Sequence, residues 1–197
     1  MTSFEKHIDK EEIRDLPLLA YSGPVDIIET FDDARQAANE IKQRYRYIGF
    51  DTETRPVFIK GKKRKVSLLQ LAGHDKVYLF RLHKMGLPSS IVRILSDDSI
   101  VKIGVDVMPD MRKLKEWANF EPAGIIDLQQ TVKTYGIADN SLRKLVAIIL
   151  KRRLSKRQQL SNWEATVLSA AQIRYAATDA WVCLKLYDEL QKHTHQK

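Results

Sequence analysis

The chain has 197 residues, 44% of them hydrophobic, enough to bury one good-sized core and too few for two complete domains. No run approaches the roughly 18 consecutive apolar residues that span a bilayer, and the opening MTSFEKHIDKEEIRD has no apolar signal-peptide centre, so the expectation is a cytoplasmic protein with no membrane partner. The single cysteine, Cys183, excludes an internal disulfide and a cysteine-rich zinc site, while 33 Lys and Arg against 25 Asp and Glu leave a formal +8 that favours polyanionic partners.

Residues 1–24 mix charges without a sustained period and end in Ser22-Gly23-Pro24, which predicts a loosely ordered leader without chemistry, ahead of one folded domain over 25–197. Thr30 precedes a helical pattern in which Phe31, Ala34, Ala38 and Ile41 recur, ending near Arg44. Tyr45 to Phe50 is short, aromatic and alternating, as a strand should be. Val66 to Leu71 and Lys76 to Phe80, separated by Gly73-His74-Asp75, predict a hairpin. A helix near 88–96, a strand at Ile100 to Gly104, a helix from Pro109 and a short strand at Gly124 to Ile126 follow, and helices dominate thereafter. This order implies an α/β fold: a mixed sheet, an antiparallel meander followed by parallel strands, flanked by helices.

Asp51 and Glu53 leave the Tyr45 to Phe50 strand at i, i+2 spacing, so both carboxylates point to one side of an extended backbone. Asp110 falls in the first turn of the helix after Ile100 to Gly104, a strand able to lie beside the one that carries Asp51. In the last helix Ser169 and Gln172 have capping-box spacing, and Tyr175 and Asp179, four apart, share one face. Each feature alone has a plain structural explanation: a polar turn, a helix-start acid, a half-buried tyrosine.

Together they resemble the three motifs of the DEDD superfamily, the ribonuclease-H-like 3′-to-5′ exonucleases, in the subclass whose third motif carries tyrosine. Gly49-Phe50-Asp51-Thr52-Glu53-Thr54 is similar to the first motif, Lys102 to Asp110 to the second, and Tyr175-Ala176-Ala177-Thr178-Asp179-Ala180 to the third. Ser141 to Val146 and Ser161-Asn162-Trp163 are also similar to the branch that holds ribonuclease D and the Werner syndrome protein exonuclease domain. One departure stands out: Asp106 and Pro109 occupy positions where many relatives have asparagine and an aromatic, which leaves Asp106 as a rival to Asp110.

The resemblance implies two-metal phosphodiester hydrolysis from the 3′ end of a nucleic acid, DNA favoured and RNA possible, releasing nucleoside monophosphates. It implies Asp51, Glu53, Asp110 and Asp179 as ligands of two Mg²⁺ or Mn²⁺ ions, with Asp51 bridging them and Tyr175 orienting the attacking water. Carboxylate oxygens suit such ions, and the histidines have no zinc-like spacing. Two basic runs, Lys60 to Lys65 and Lys151 to Arg157, each carry five positive charges, which places Lys62, Lys63 and Arg64 as phosphate contacts. Thr52 and Asn162 are further candidate contacts; Trp163 reads first as core and second as a base-stacking platform. The expected partner is a free 3′ end, single-stranded there; the competing reading is a non-catalytic nucleic-acid-binding module on the same fold.

Overall fold

The computed structural model describes residues 4–57, 59, 61 and 63–194. The elements, in chain order, are α1 (Lys10–Asp15), β1 (Val25–Ile28), α2 (Phe31–Arg44), β2 (Tyr47–Glu53), β3 (Leu68–Ala72), β4 (Val77–Phe80), α3 (Leu82–Met85), α4 (Ser89–Leu95), β5 (Val101–Gly104), α5 (Val107–Leu114), β6 (Ile125–Asp127), α6 (Leu128–Thr131), a 3₁₀ turn (Val132–Tyr135), α7 (Leu142–Leu150) and α8 (Ala170–Thr194). The six strands form one sheet in the order β1-β4-β3-β2-β5-β6. β2, β3 and β4 make the antiparallel meander, and β5 and β6 extend it in parallel from β2. The mixed sheet is as expected; β1, which runs parallel to β4 at the edge, is an addition, being only four residues long with two exposed.

Side-chain alternation sorts the strands onto two cores. Ile48, Phe50, Leu69, Leu71, Tyr78 and Phe80 face a layer built by α2, α4 and α5, whose Ala34, Ile41, Ile91, Ile94 and Met111 share their cluster. Leu68, Ala72, Val77 and Leu79 face the other way, onto Ala176, Ala177 and Ala180 of α8 and the indole of Trp163. The Thr30 hydroxyl accepts the Asp33 N–H at 3.2 Å and so caps α2, a contact worth about 1 kcal/mol. Ser169 and Gln172 bond reciprocally ahead of α8, fixing where that helix begins.

Contrary to the expected loose leader, the segment from residue 4 to 24 is packed onto the body. Ile8 and Ile13 are buried against Leu145, Ile148 and Leu190, and Tyr21 is buried near Trp163, its N–H donating to Thr178 Oγ1 at 3.0 Å. Burial of such side chains stabilises by roughly 1.5–3 kcal/mol each, enough to hold a segment that has only one short helix. The second basic run anchors the same segment: Arg153 Nε donates to Leu16 O at 2.8 Å and Lys151 pairs with Glu5 at 2.9 Å. Among the described residues no helix is long and apolar enough to cross a membrane.

Candidate active site

β2 is central, with β3 on one side and β5 on the other, and its last residues extend beyond the β5 pairing, which ends at Gly49↔Ile103. Asp51 and Glu53 therefore stand on the free side of β2 on the face that α8 covers. Close approach of that helix depends on Gly49: a Cβ there would lie 2.0 Å from the Ala180 carbonyl oxygen, so only glycine lets the helix backbone rest on the strand. The same approach brings Asp179, one residue earlier, over Asp51.

One carboxylate oxygen from each of Asp51, Glu53 and Asp179 lies within 4.8 Å of the others. Burial first, then the charges of Asp179 and Asp110, hold the Asp51 carboxyl well above the usual carboxylate range. Burial and the neighbouring Asp51, Asp179 and Asp110 push Glu53 up to about 10. Burial takes Asp179 to about 7, against the downward pull of the Tyr175 hydroxyl and the Arg143 charge. Burial, Asp179 and Glu53 raise the Tyr175 phenol, so it stays protonated at any working pH.

Asp110 stands apart from this trio. It lies in the first turn of α5, its carboxylate pairs with Lys113 at 2.9 Å, and its charge still reaches Asp51 and Glu53. The helix begins at Val107, two residues ahead of the expected start at Pro109, because the Asp127 carboxylate at the end of β6 accepts the backbone N–H groups of Asp106 at 3.2 Å and Val107 at 3.0 Å. Asp106 is exposed and in the left-handed conformation at φ 58°; it is Asp110, not Asp106, whose charge acts on Asp51 and Glu53.

The predicted substrate contacts divide. Lys63 and Arg64 are exposed and line an open cavity of about 520 Å³ with Arg55, Lys65, Trp117 and Glu164; Lys62 lies outside the described residues. Arg64 and Arg55 both pair with the Glu164 carboxylate, at 2.8 and 3.1 Å. Asn162 is exposed, but its side-chain oxygen accepts the Glu164 N–H. Two other candidates face the interior. Trp163 is fully buried, its ring 6.0 Å from that of Tyr175, so it has no face to offer a base. Thr52 faces the α2 side with Leu69, its strand partner, and contributes only its N–H, which lowers the Asp51 pKa.

Sequence reasoning passed over Gln70, Asp127, Arg143 and Glu164. A polar residue in the apolar strand Leu68-Leu69-Gln70-Leu71-Ala72, an aspartate directly before Leu128 and the family-like stretch Ser141 to Val146 around Arg143 were the readable signals; Glu164 carried none. The N-terminal segment also reaches the site, since Leu18, Leu19 and Ala20 line a cavity of about 230 Å³ with Tyr175 and Asp179.

Donors and charge fit hard divalent cations: three carboxylates share a small volume, a fourth lies within electrostatic reach, and their raised pKa values show how little compensating charge the protein itself supplies. A pH signature follows. A carboxyl whose pKa is raised on folding keeps its proton in the folded chain where the unfolded chain has released it, so stability falls as pH climbs. For the metal-free protein the loss is expected from the ordinary carboxylate range through about 7 for Asp179 and on towards about 10 for Glu53. Thermal unfolding in chelator should show a falling midpoint between about pH 5 and about pH 9, and Mg²⁺ should restore most at the upper end. A midpoint flat across that window, with and without Mg²⁺, would remove the acids from this account.

A family model described as 3′-5′ exonuclease matches residues 25–195. Exonuclease 3′-5′ domain-containing protein 2 of Drosophila melanogaster is 33% identical over 182 residues, which are 88% of this chain and 31% of that protein. The bifunctional 3′-5′ exonuclease/ATP-dependent helicase WRN of Mus musculus is 30% identical over 193 residues, 93% of this chain and 14% of the relative. The crystal structure of the Aedes aegypti Nibbler EXO domain superposes with a TM-score of 0.78 at 26% identity, covering 88% of this chain and 90% of that one. The chain thus spans less than a third of the length of either curated relative. With the motifs in order and their acids converging where β2 meets α8, the chain belongs to the 3′-5′ exonuclease family of the DEDD superfamily.

Proposed function

We propose that this chain hydrolyses the last phosphodiester at the single-stranded 3′ end of a nucleic acid, releasing a nucleoside 5′-monophosphate and leaving a strand one nucleotide shorter with a new 3′ hydroxyl. The observation that carries the reading is the convergence of Asp51, Glu53 and Asp179 from β2 and α8, with Tyr175 one turn away on the same helix. Two Mg²⁺ or Mn²⁺ ions, held by these acids with Asp110, would supply the charge that activates water and stabilises the departing oxygen.

Around that chemistry the protein's own groups hold and orient. Tyr175, kept protonated, directs the attacking water through its hydroxyl. Arg143, in the first turn of α7, is the cation whose charge acts on Asp179, and it would meet the terminal phosphate. Arg55, Lys63, Arg64 and Lys65 line the cavity that follows Glu53 along the chain and take the phosphates further back on the strand. All of these address phosphate oxygens and a 3′ oxygen common to DNA and RNA, so the reading covers both.

The test is digestion of matched 5′-labelled deoxy and ribo oligomers with Mg²⁺ or with chelator. A ladder shortening from the 3′ end only with metal is the expected result. Binding without cleavage would replace the reading with a non-catalytic module, and turnover of mononucleotides alone with a small-molecule phosphohydrolase.

A further inference from the structure

Gln70 sits in the middle of β3 with none of its surface exposed, and among the described residues neither its amide nitrogen nor its amide oxygen has a hydrogen-bond partner. Unpaired polar atoms at that depth are rare in folded chains, because each has lost its water without replacement. The register puts Gln70 directly opposite Asp51, and directly opposed residues of an antiparallel pair project from the same face with Cβ atoms roughly 4.5–5.5 Å apart. Leu79, its partner on the other side, belongs to the cluster under α8, which fixes the face independently. In that cluster lies a third orphan: the indole nitrogen of Trp163, fully buried, without a partner, on a ring packed against Tyr175. Three unpaired polar atoms thus lie on the α8 side of the sheet, the side that Asp51 faces.

Their donor and acceptor types decide how they pair. An indole N–H only donates and an ionised carboxylate only accepts, so the two are linked by a group that accepts at one end and donates at the other, and a primary amide is such a group. We propose that Gln70 is a positioning residue for Asp51: its NH₂ donates to the carboxylate that holds the cations, while its carbonyl oxygen accepts the Trp163 indole N–H. A carboxylate that would hold cations needs its oxygens kept aimed at them, and a buried donor at its back restricts its rotation. The same chain of contacts connects Asp51 to the ring that supports Tyr175, so ligand and water-orienting hydroxyl are set by one buried unit.

The inference rests on the metal-ligand reading of Asp51, and the experiment separates the two. Mn²⁺ is titrated into wild type, Gln70→Leu and Gln70→Met, thermal unfolding is followed in chelator, and kcat and KM are measured on a single-stranded oligonucleotide. Both variants remove the orphaned amide while keeping the strand apolar. In chelator the unfolding midpoint should rise by about 2 °C or more, since unpaired polar atoms are lost. Mn²⁺ affinity should fall roughly 10- to 100-fold, with kcat reduced and KM little changed. Trp163→Phe, which keeps a ring and removes the N–H, should weaken Mn²⁺ in the same direction. A midpoint that falls in both Gln70 variants, or Mn²⁺ affinity and kcat equal to wild type, overturns the role of Gln70 alone; wild type that fails to bind Mn²⁺ overturns the metal reading beneath it.

Discussion

Asp51→Asn is expected to lower the rate of 3′-end hydrolysis by at least about 10³-fold while making the metal-free protein more stable. The two effects have one cause. Burial and its neighbours' charges hold the Asp51 carboxyl well above the usual range, so at neutral pH folding must either protonate it or hold it against Asp179 and Asp110. Asparagine keeps the shape and removes that demand, which should stabilise the chelated protein by about 1–2 kcal/mol after solvent screening of a half-buried group is allowed for. The same change takes one formal charge from a site proposed to hold divalent ions, and removal of even one preorganised group at developing charge costs about 10²–10³ in rate. The measurements are an end-labelled digestion time course and thermal unfolding in chelator, side by side. A variant with near-wild-type turnover removes Asp51 from the chemistry; one that is inactive but less stable has lost its fold.

The candidate site residues were more legible than their setting. Asp51 and Glu53 could be placed on one side of an extended backbone because strand periodicity is strict, and Tyr175 with Asp179 because four residues make about one helical turn. Both inferences are local, and both agree with the structure. What was illegible depended on distant partners. Ile8, Ile13 and Tyr21 follow no shared period because they meet different surfaces, the first two against α7 and α8 and the third beneath Trp181 and Trp163, so no window of sequence marks the N-terminal segment as docked. The start of α5 was misplaced because its cap, Asp127, comes from β6 instead of from the preceding residues. The burial of Trp163 was the first of its two readings, but its lack of an indole partner became visible only in the packed core, with Tyr175 beside it. The Lys151 to Arg157 run shows the limit of counting charge: Arg153 and Lys151 are held by the N-terminal segment, whereas Lys63 lines an open cavity.

Tyr175→Phe should reduce kcat by about 10²-fold and leave KM within about threefold. The phenol lies against buried acids, and its own burial, then Asp179 and Glu53, keep the proton on it far above neutral pH, so it cannot serve as the base that deprotonates water. What remains is direction: a hydroxyl that can accept from the water while donating to Asp179 fixes where the nucleophile stands, and misplacement by about 1 Å costs on the order of 10²-fold. On the proposed reading substrate is held by phosphate contacts elsewhere, so affinity should hardly change. The phenylalanine ring preserves the packing on Trp163, and its unfolding midpoint should stay close to wild type. The pH dependence discriminates further: if the hydroxyl only orients, the variant's rate-pH curve is lower throughout but keeps its shape, whereas loss of a base would delete one limb. Steady-state kinetics across pH on a single-stranded oligonucleotide decide it, and a variant with unchanged kcat would leave the water to be oriented by the acids alone.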